Sequence, residues 1–592
     1  MMKAQIQEVS NMKLEFTGNW FIDAGILGFV NLMEEVFGWD LEELEKLLEK
    51  NQEEVYYKWF IFGYLFYHFK IRTYYKDIQE IRKKIFVEGG INQQIKKLAK
   101  EIRELEGEIS KEMDRKEKGK ILKKLERKKE KLMNLEEKKK EKVLDIERKK
   151  KVLEKEKERF RDVILKCLSK TNIEDILENG NKYQDLNEIF SDFKLNLPPI
   201  ARNFYIFNSS KVRNNWFLAF KYLYYLCKGD YKNLAKFKER GLTYEIYPDS
   251  TINPFLFSED EFSNIGYTKP LSVNEISNAL KLQIPIYISL LSFEHAFENY
   301  YERGTTRNIF FYTDILPFCY SINRRMKIKK EIAMKQDKSQ TILRLTISSI
   351  IDELVEKKAD FSLENMYLIE YENIENQKLI NVKYIGIPKL QASIILNEII
   401  RENLNKFIEF RIIRGKIQYS WLIEEFIKGK PLHPIILNHI YLVLNEKEKV
   451  FLRWSPSLYS LIIEANILKF KKEKEDKSSN IFSDNYFDNY KSLIDQIKED
   501  IKSTSFIASL FARISDEENE RKRIARELFN ALKAKNKNML LNILLKNMNE
   551  KKELCRNNNL INWIFDKIIN NNDESFIMYG LILTMGLLRD KK

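Results

Sequence analysis

At 592 residues the chain exceeds what one hydrophobic core organises, and 44% hydrophobic with 12% aromatic content marks two or more globular domains, not a disordered or fibrous chain. Nineteen Gly and eleven Pro are few turn-formers for this length, which argues against a many-stranded sandwich and for long helices. The formal charge of +14 is unevenly placed: residues 91–160 hold 26 Lys+Arg against 17 Asp+Glu (net +9) and the rest 76 against 71 (net +5), so local clusters matter more than global charge.

Cys167, Cys227, Cys319 and Cys555 form no C-x-x-C pair. That sets aside a zinc knuckle and a disulfide framework, and it points to a reducing, cytoplasmic compartment. The N-terminus carries no apolar signal region. The most hydrophobic stretch, Phe576 to Leu588, is thirteen residues long, short of a membrane span, and is expected as a buried helix.

In chain order, Leu14 to Trp39 reads as a turn and an amphipathic helix, and Trp59 to Phe69 as an aromatic core run. Ile91, Ile95, Leu98, Ile102, Leu105, Ile109 and Met113 then recur at alternating four- and three-residue steps, the seam of a coiled-coil arm. Gly119 is the expected reversal point, within the polar run Asp114 to Lys120. Leu122, Leu125, Leu132, Leu135, Val143 and Ile146 form a second stripe, and the two stripes close a helical hairpin whose Lys/Glu richness is its solvated outside.

Leu197-Pro198-Pro199 stops one segment, and strands are expected at Asn203–Phe207, Tyr244–Tyr247 and Asn308–Thr313. Met366–Tyr371 and Leu379–Ile387 bracket the polar Glu372–Lys378 as a hairpin, which Pro388 ends. From Lys389 the period is helical, interrupted at Gly429–Pro434 and near Pro456, and the charged run Lys471–Asn480 reads as a linker. Ser515 with Glu518 forms a capping-box signature. Asn485 to Lys592 is expected as a compact bundle of four or five helices, with Phe506, Ile507, Leu510, Phe511, Leu528, Phe529, Leu532, Leu540, Leu541, Leu544 and Leu545 inside and Arg521, Lys522, Arg523 and Arg526 on an outer basic rim.

The chain has neither a phosphate-cradling G-x-x-x-x-G-K-[ST] loop nor a G-x-G-x-x-G turn. Its four histidines, His68, His295, His433 and His439, stand in no metal-ligand spacing, so they read as core or surface residues. No catalytic residue, metal or cofactor is assigned. What remains are basic patches interleaved with aromatic and amide side chains, the composition that neutralises phosphates and reads bases. Asn208, Ser209, Lys211, Arg213 and Asn214 form the first, between Phe207 and Trp216; Arg324, Arg325 and Lys327 the second; Arg521, Arg523 and Arg526 the third.

The decapeptide Phe16-Thr17-Gly18-Asn19-Trp20-Phe21-Ile22-Asp23-Ala24-Gly25 resembles the opening signature of large subunits of type I (I-B/I-A-like) CRISPR effector complexes (Cascade). Gly18 permits a tight turn, Asn19 or Asp23 can cap the next helix, and Gly25 and Gly28 lie one turn apart so that another backbone can approach. The resemblance implies a non-catalytic subunit of an RNA-guided antiviral complex. Such subunits recognise the protospacer-adjacent motif on double-stranded target DNA, stabilise the opened single strand, contact CRISPR RNA and backbone subunits, and recruit a helicase–nuclease.

The expected fold class is α+β and predominantly helical. A mixed α/β body (1–90 and 170–470) carries a coiled-coil hairpin insertion (91–169) and precedes a C-terminal helical bundle (485–592). The alternative reading is a coiled-coil scaffold or interaction protein without specific nucleic-acid recognition; a nuclease with an unrecognised site is a third.

Overall fold

The protein is described from a computed structural model covering residues 13–86, 90–109, 115–169, 171–196, 210–230, 232–233, 283–302, 305–335, 342–357, 366–374, 377–387, 390–391, 394, 413–414, 417–418, 425–426, 429–445, 454–476, 486–511, 513–515, 517–549, 557–570 and 574–588. The fold is predominantly helical α+β. It divides into two compact units, Met1–Leu345 with Tyr367–Lys383 and Thr346–Met366 with Tyr384–Lys592. The strands expected at 203–207 and 244–247 lie outside the described residues.

The first unit is organised around α1 (Trp20–Phe37). Gly18 takes φ +83°, open to glycine at no steric cost, and Asn19 caps the helix by accepting from Phe21 N at 3.1 Å and Ile22 N at 3.4 Å. Asp23, fully buried, closes the turn instead. Its carboxylate accepts from Thr17 N (2.7 Å), Thr17 Oγ1 (2.8 Å), Gly18 N (3.1 Å) and Tyr312 Oη (2.9 Å). Burial raises the Asp23 carboxyl, against the lowering by these donors. We expect Asp23→Asn, which keeps the volume but turns one acceptor into a donor facing two donors, to cost about 2–3 kcal/mol, read as a lower midpoint in urea unfolding. An unchanged midpoint would remove the turn from the stabilising core.

The helix is not amphipathic as its sequence suggested: every residue from Phe21 to Val30 is buried. It is followed by α2 (Leu41–Glu54), which opens with a complete capping box between Asp40 and Glu43. The aromatic run Trp59 to Phe69 then forms α3 (Phe60–Phe66) between two π-helical turns, Val55–Trp59 and Tyr67–Ile71. Phe60, Phe62, Tyr64 and Phe66 are almost wholly buried there.

The arm is a helical hairpin. α4 (Arg72–Phe86) and α5 (Ile91–Ile109) pack in turn along α6 (Arg115–Leu168), 54 residues and so about 80 Å long. Ile102, Leu105 and Leu125 form one buried cluster and Ile78, Ile85 and Ile146 another, so α4 continues the seam that α5 begins. α5 ends at Ile109 and α6 begins at Arg115, so Gly119 sits inside α6 and is not the reversal point. A lone glycine costs a helix about 1 kcal/mol, which the surrounding Lys, Arg and Glu helix formers sustain.

Beyond the arm come α7 (Ile173–Asn179), α8 (Gln184–Ile189), the turn α9 (Ser210–Arg213) and α10 (Trp216–Lys228). Next are α11 (Ile286–Ser292) and a 3-10 turn Phe293–Ala296, both packed on α1. The sheet has order β1-β2-β3-β4 with β1 (Glu298–Glu302), β2 (Thr305–Tyr312), β3 (Tyr367–Ile374) and β4 (Gln377–Tyr384). This realises the strand expected at 308–313 and the hairpin expected across 366–387. Between β2 and β3 run α12 (Leu316–Lys335) and α13 (Ile342–Lys357).

The second unit holds the small hairpin β5 (Ile413–Arg414) and β6 (Ile417–Gln418), then a bundle. Its helices are α14 (His433–Asn445), α15 (Trp454–Asp476), α16 (Tyr486–Phe511), α17 (Glu518–Lys533), α18 (Lys537–Asn549), α19 (Asn558–Ile564) and α20 (Ser575–Leu587). Gly429 to Leu432 are non-helical, the break expected there, and Pro434 and Pro456 lie in the first turns of α14 and α15, where a missing N–H costs nothing. α15 runs through Lys471 to Asp476 of the expected linker and packs on α20, which makes it part of the bundle.

α20 is buried from Ile577 to Leu587, as its apolar sequence implied. Among the described residues no helix is long and apolar enough to cross a membrane. Of the expected interior, Phe506 and Leu545 are instead exposed, at 53% and 54%. Ser515 does not cap through Glu518: α17 starts later, with Glu517 at the cap position, and Ser515 Oγ accepts from Glu517 N (3.2 Å) while donating to Glu520 (2.7 Å).

Candidate nucleic-acid interface

The first basic cluster is set by two buried anchors. Val212 and Trp216 face inward, and the Trp216 indole donates to Asn187 Oδ1 at 3.0 Å. Asn215 caps α10 by accepting from Phe217 N (3.0 Å) and Leu218 N (3.1 Å). The same constraints turn Lys211, Arg213 and Asn214 outward, where all three are exposed. On α10, Lys221 lies over the Phe217 ring at 4.5 Å. Asn208 and Ser209 lie outside the described residues.

The second cluster lies on one helix, α12, and is largely charge-balanced. Arg324 meets Glu34 at 3.4 Å and Lys327 meets Glu35 at 3.3 Å. Tyr320 Oη also donates to Glu34, at 2.8 Å. Lys330 is buried against Glu298, and Glu331 pairs with both Arg82 and Lys150 at 2.6 Å. Glu35 also takes Lys157 and the Tyr75 hydroxyl. Burial pushes the Glu35 carboxyl up, but Lys327 and Lys157 outweigh it and hold it at about 2; Arg82 and Lys150 do the same for Glu331, also to about 2.

These cations therefore bind the protein to itself. Lys150 and Lys157 belong to α6, Glu35 to α1 and Glu331 to α12, so the network fastens the base of the arm to the body. Arg325 stands on the same helix, half-buried. Glu35 lies 292 positions from Lys327 in sequence, which is why a local scan for like charges reads a patch where the fold makes pairs.

The third cluster disperses over α17. Arg521, expected on an outer rim, is 7% exposed and donates to Ser515 O at 3.4 Å. Arg526 is exposed but donates to Leu444 O (2.9 Å), one of the last carbonyls of α14, a usual place for Arg because those carbonyls lack helical partners. Arg523 projects outward and pairs with Glu527 at 2.6 Å one turn on. Of the three clusters, only the first presents its described residues together on an open surface.

His68 is buried, and His295 and His433 are partly buried. His68 and His295 approach Nε2 to Nε2 at 3.3 Å in the body, and His433 Nδ1 lies 2.6 Å from Glu464, whose other oxygen accepts from Leu432 N and His433 N. His439 is also buried. No family model, curated protein or solved structure matches the chain.

Proposed function

We propose that the protein is the large subunit of a type I RNA-guided surveillance complex, acting without catalysis in the cytoplasm. It recognises a short motif on duplex DNA, stabilises the opened strand, contacts guide RNA and backbone subunits, and recruits a helicase–nuclease. The observation that carries this reading is the architecture of the decapeptide. Its Thr17, Gly18, Asn19, Asp23 and Gly25 each perform a distinct structural task at the centre of the first unit, so the resemblance concerns a built element and not mere composition. A helical bundle in the second unit is in keeping with it.

Within this reading Lys211 and Arg213 hold the phosphate backbone, while Asn208, Ser209 and Asn214 reach groove edges. Arg324, Lys327, Arg521, Arg523 and Arg526 act mainly on the protein's own carboxylates and carbonyls, and together with Arg325 reach nucleic acid only secondarily. Co-expression with the backbone subunit and guide RNA of a type I system from the same genome, followed by size-exclusion chromatography, tests the assignment. Co-elution is expected, and separate elution of a folded chain would overturn it. In the assembled complex, Lys211→Ala with Arg213→Ala should weaken DNA binding about tenfold regardless of sequence. Asn214→Ala should narrow the ratio between motif-bearing and scrambled duplexes.

One observation favours the scaffold alternative. Leu122, Met133 and Leu144 are 43%, 57% and 52% exposed on α6 at eleven-residue spacing, which is three helical turns and thus a straight apolar stripe. Binding of a partner helix there, with no nucleic acid bound anywhere on the chain, would establish it.

A further inference from the structure

The charge excess of the arm belongs to one helix. α5 has four Lys+Arg and four Glu, whereas α6 has 23 Lys+Arg against 12 Asp+Glu, a net of +11, and its stretch 115–131 alone has ten against three. α5 neutralises part of it: Lys128 pairs with Glu101 at 2.6 Å and Lys129 with Glu106 at 2.8 Å. These two flank Ile121, Leu125 and Leu132, the side that α5 covers.

Away from that side, Lys120, Lys124, Arg127 and Lys131 follow one another at steps of four, three and four residues, and Asn134 and Lys138 continue the series; all six are exposed. Such steps keep side chains on one face, here about 120° round from the α5 seam and about 27 Å long. Glu126, Glu130, Glu136 and Glu137 all fall at least about 80° from its centre, so no carboxylate between 120 and 138 interrupts the row.

We infer that this Lys120–Lys138 row is a sequence-independent binding site for a phosphodiester backbone. The inference rests on the nucleic-acid component of the proposed function, not on the subunit's identity. A straight, narrow line of five cations, about one per 5 Å, complements a rod of phosphates. An anionic bilayer requires cations bordering an apolar face, whereas the exposed Leu122 and Met133 are separated from the row by Glu126, Glu130 and Glu137. An acidic protein surface requires an apolar centre, and the row has none. With no aromatic platform and one amide, it grips without reading bases.

The test uses the full chain, Lys124→Glu/Arg127→Glu/Lys131→Glu, a gentler triple Gln variant, and Lys151→Glu/Lys155→Glu as a control elsewhere on α6. Circular dichroism verifies helicity for each. Labelled mixed-sequence oligonucleotides, single-stranded and duplex, are titrated over a range of salt, and the arm of the experiment with the larger loss identifies the form bound. The Glu triple should lose about 10–100-fold in affinity near 0.1 M salt and flatten the log–log salt slope by about 2–3, the Gln triple should lose less, and the control should behave as wild type. Wild-type binding with the triple variants unchanged would overturn the site alone, while no wild-type binding to either oligonucleotide would overturn the nucleic-acid reading with it. Equal competition per charge by poly-glutamate, or capture by anionic vesicles with unchanged DNA affinity, would also overturn the site.

Discussion

Placing methyl groups on Gly25 and Gly28 together is expected to destabilise the first unit by about 5 kcal/mol, enough to unfold many domains. A Cβ at Gly28 would stand 2.0 Å from Ser292 O and 2.8 Å from Ser292 C, and one at Gly25 would stand 2.1 Å from Ser289 Oγ and 2.3 Å from Ser289 O. Most of these neighbours are backbone atoms of α11 and cannot swing aside. The helices would have to separate, undoing the contacts of Phe21 with Phe293, now at 4.4 Å between ring centroids, and the hydrogen bond from Ser289 Oγ to Ile22 O at 2.9 Å. Gly119→Ala supplies the opposite sign: nothing lies within 4 Å of its Cβ and its backbone is helical, so it should stabilise by up to about 1 kcal/mol. Urea titrations of the three proteins decide the matter; a Gly25→Ala/Gly28→Ala midpoint within error of wild type would show that the crossing is not close-packed.

Between pH 6.5 and 4.5 the first unit should lose about 5 kcal/mol, and His68 and His295 are the cause. Burial, the neighbouring His295 and Arg72 hold the His68 imidazole well below its ordinary range; burial and Arg72 hold His295 at about 3. Both are thus neutral in the folded state well below the ordinary imidazole range, while in the unfolded chain both take a proton near pH 6.5. The unfolded state binds more protons in this window, so stability falls as pH falls, by about 1.4 kcal/mol per unit for each ring. Glu35 and Glu331, at about 2, begin to add their own loss only below about pH 4.5, where unfolded carboxyls protonate. Asp23 and Glu45, raised by burial, act in the opposite direction. Urea midpoints measured across the window should slope with about two protons, and with about one in His68→Gln; an equal slope in wild type and variant would exonerate the pair.

Much of the architecture was legible because it depends on local repetition. The four-and-three spacing of Ile91 to Ile109 requires a seam whatever packs against it, and α5 and the cluster of Ile102, Leu105 and Leu125 supply it. The unbroken apolar run in Phe576–Leu588 permits only a helix buried on all sides, and α20 is one. The polar Glu372–Lys378 between two strand-like segments marked the β3–β4 hairpin, although both strands extend into it. Gly25 and Gly28 announced a close crossing, although only the fold named Ser289 and Ser292 as the other side.

Tertiary structure decided whatever depends on a distant partner. α1 and α17 start where their flanking turns allow, so Asn19 caps the first helix, leaving Asp23 for the turn, and Ser515 serves Glu517 and Glu520 instead of a capping box. The reversal of the arm passed Gly119 by because helix propensity over the whole Lys/Glu-rich stretch outweighs one glycine. Charge was the least legible property. Lys327 and Lys131 look alike in sequence, yet Lys327 meets a carboxylate from α1 while Lys131 faces outward on α6, since a cation's freedom depends on which residues the fold carries to it. By itself the sequence determined the periodicities, and with them the helices and the hairpin; pairing across hundreds of residues, which no local period encodes, belonged to the tertiary structure alone.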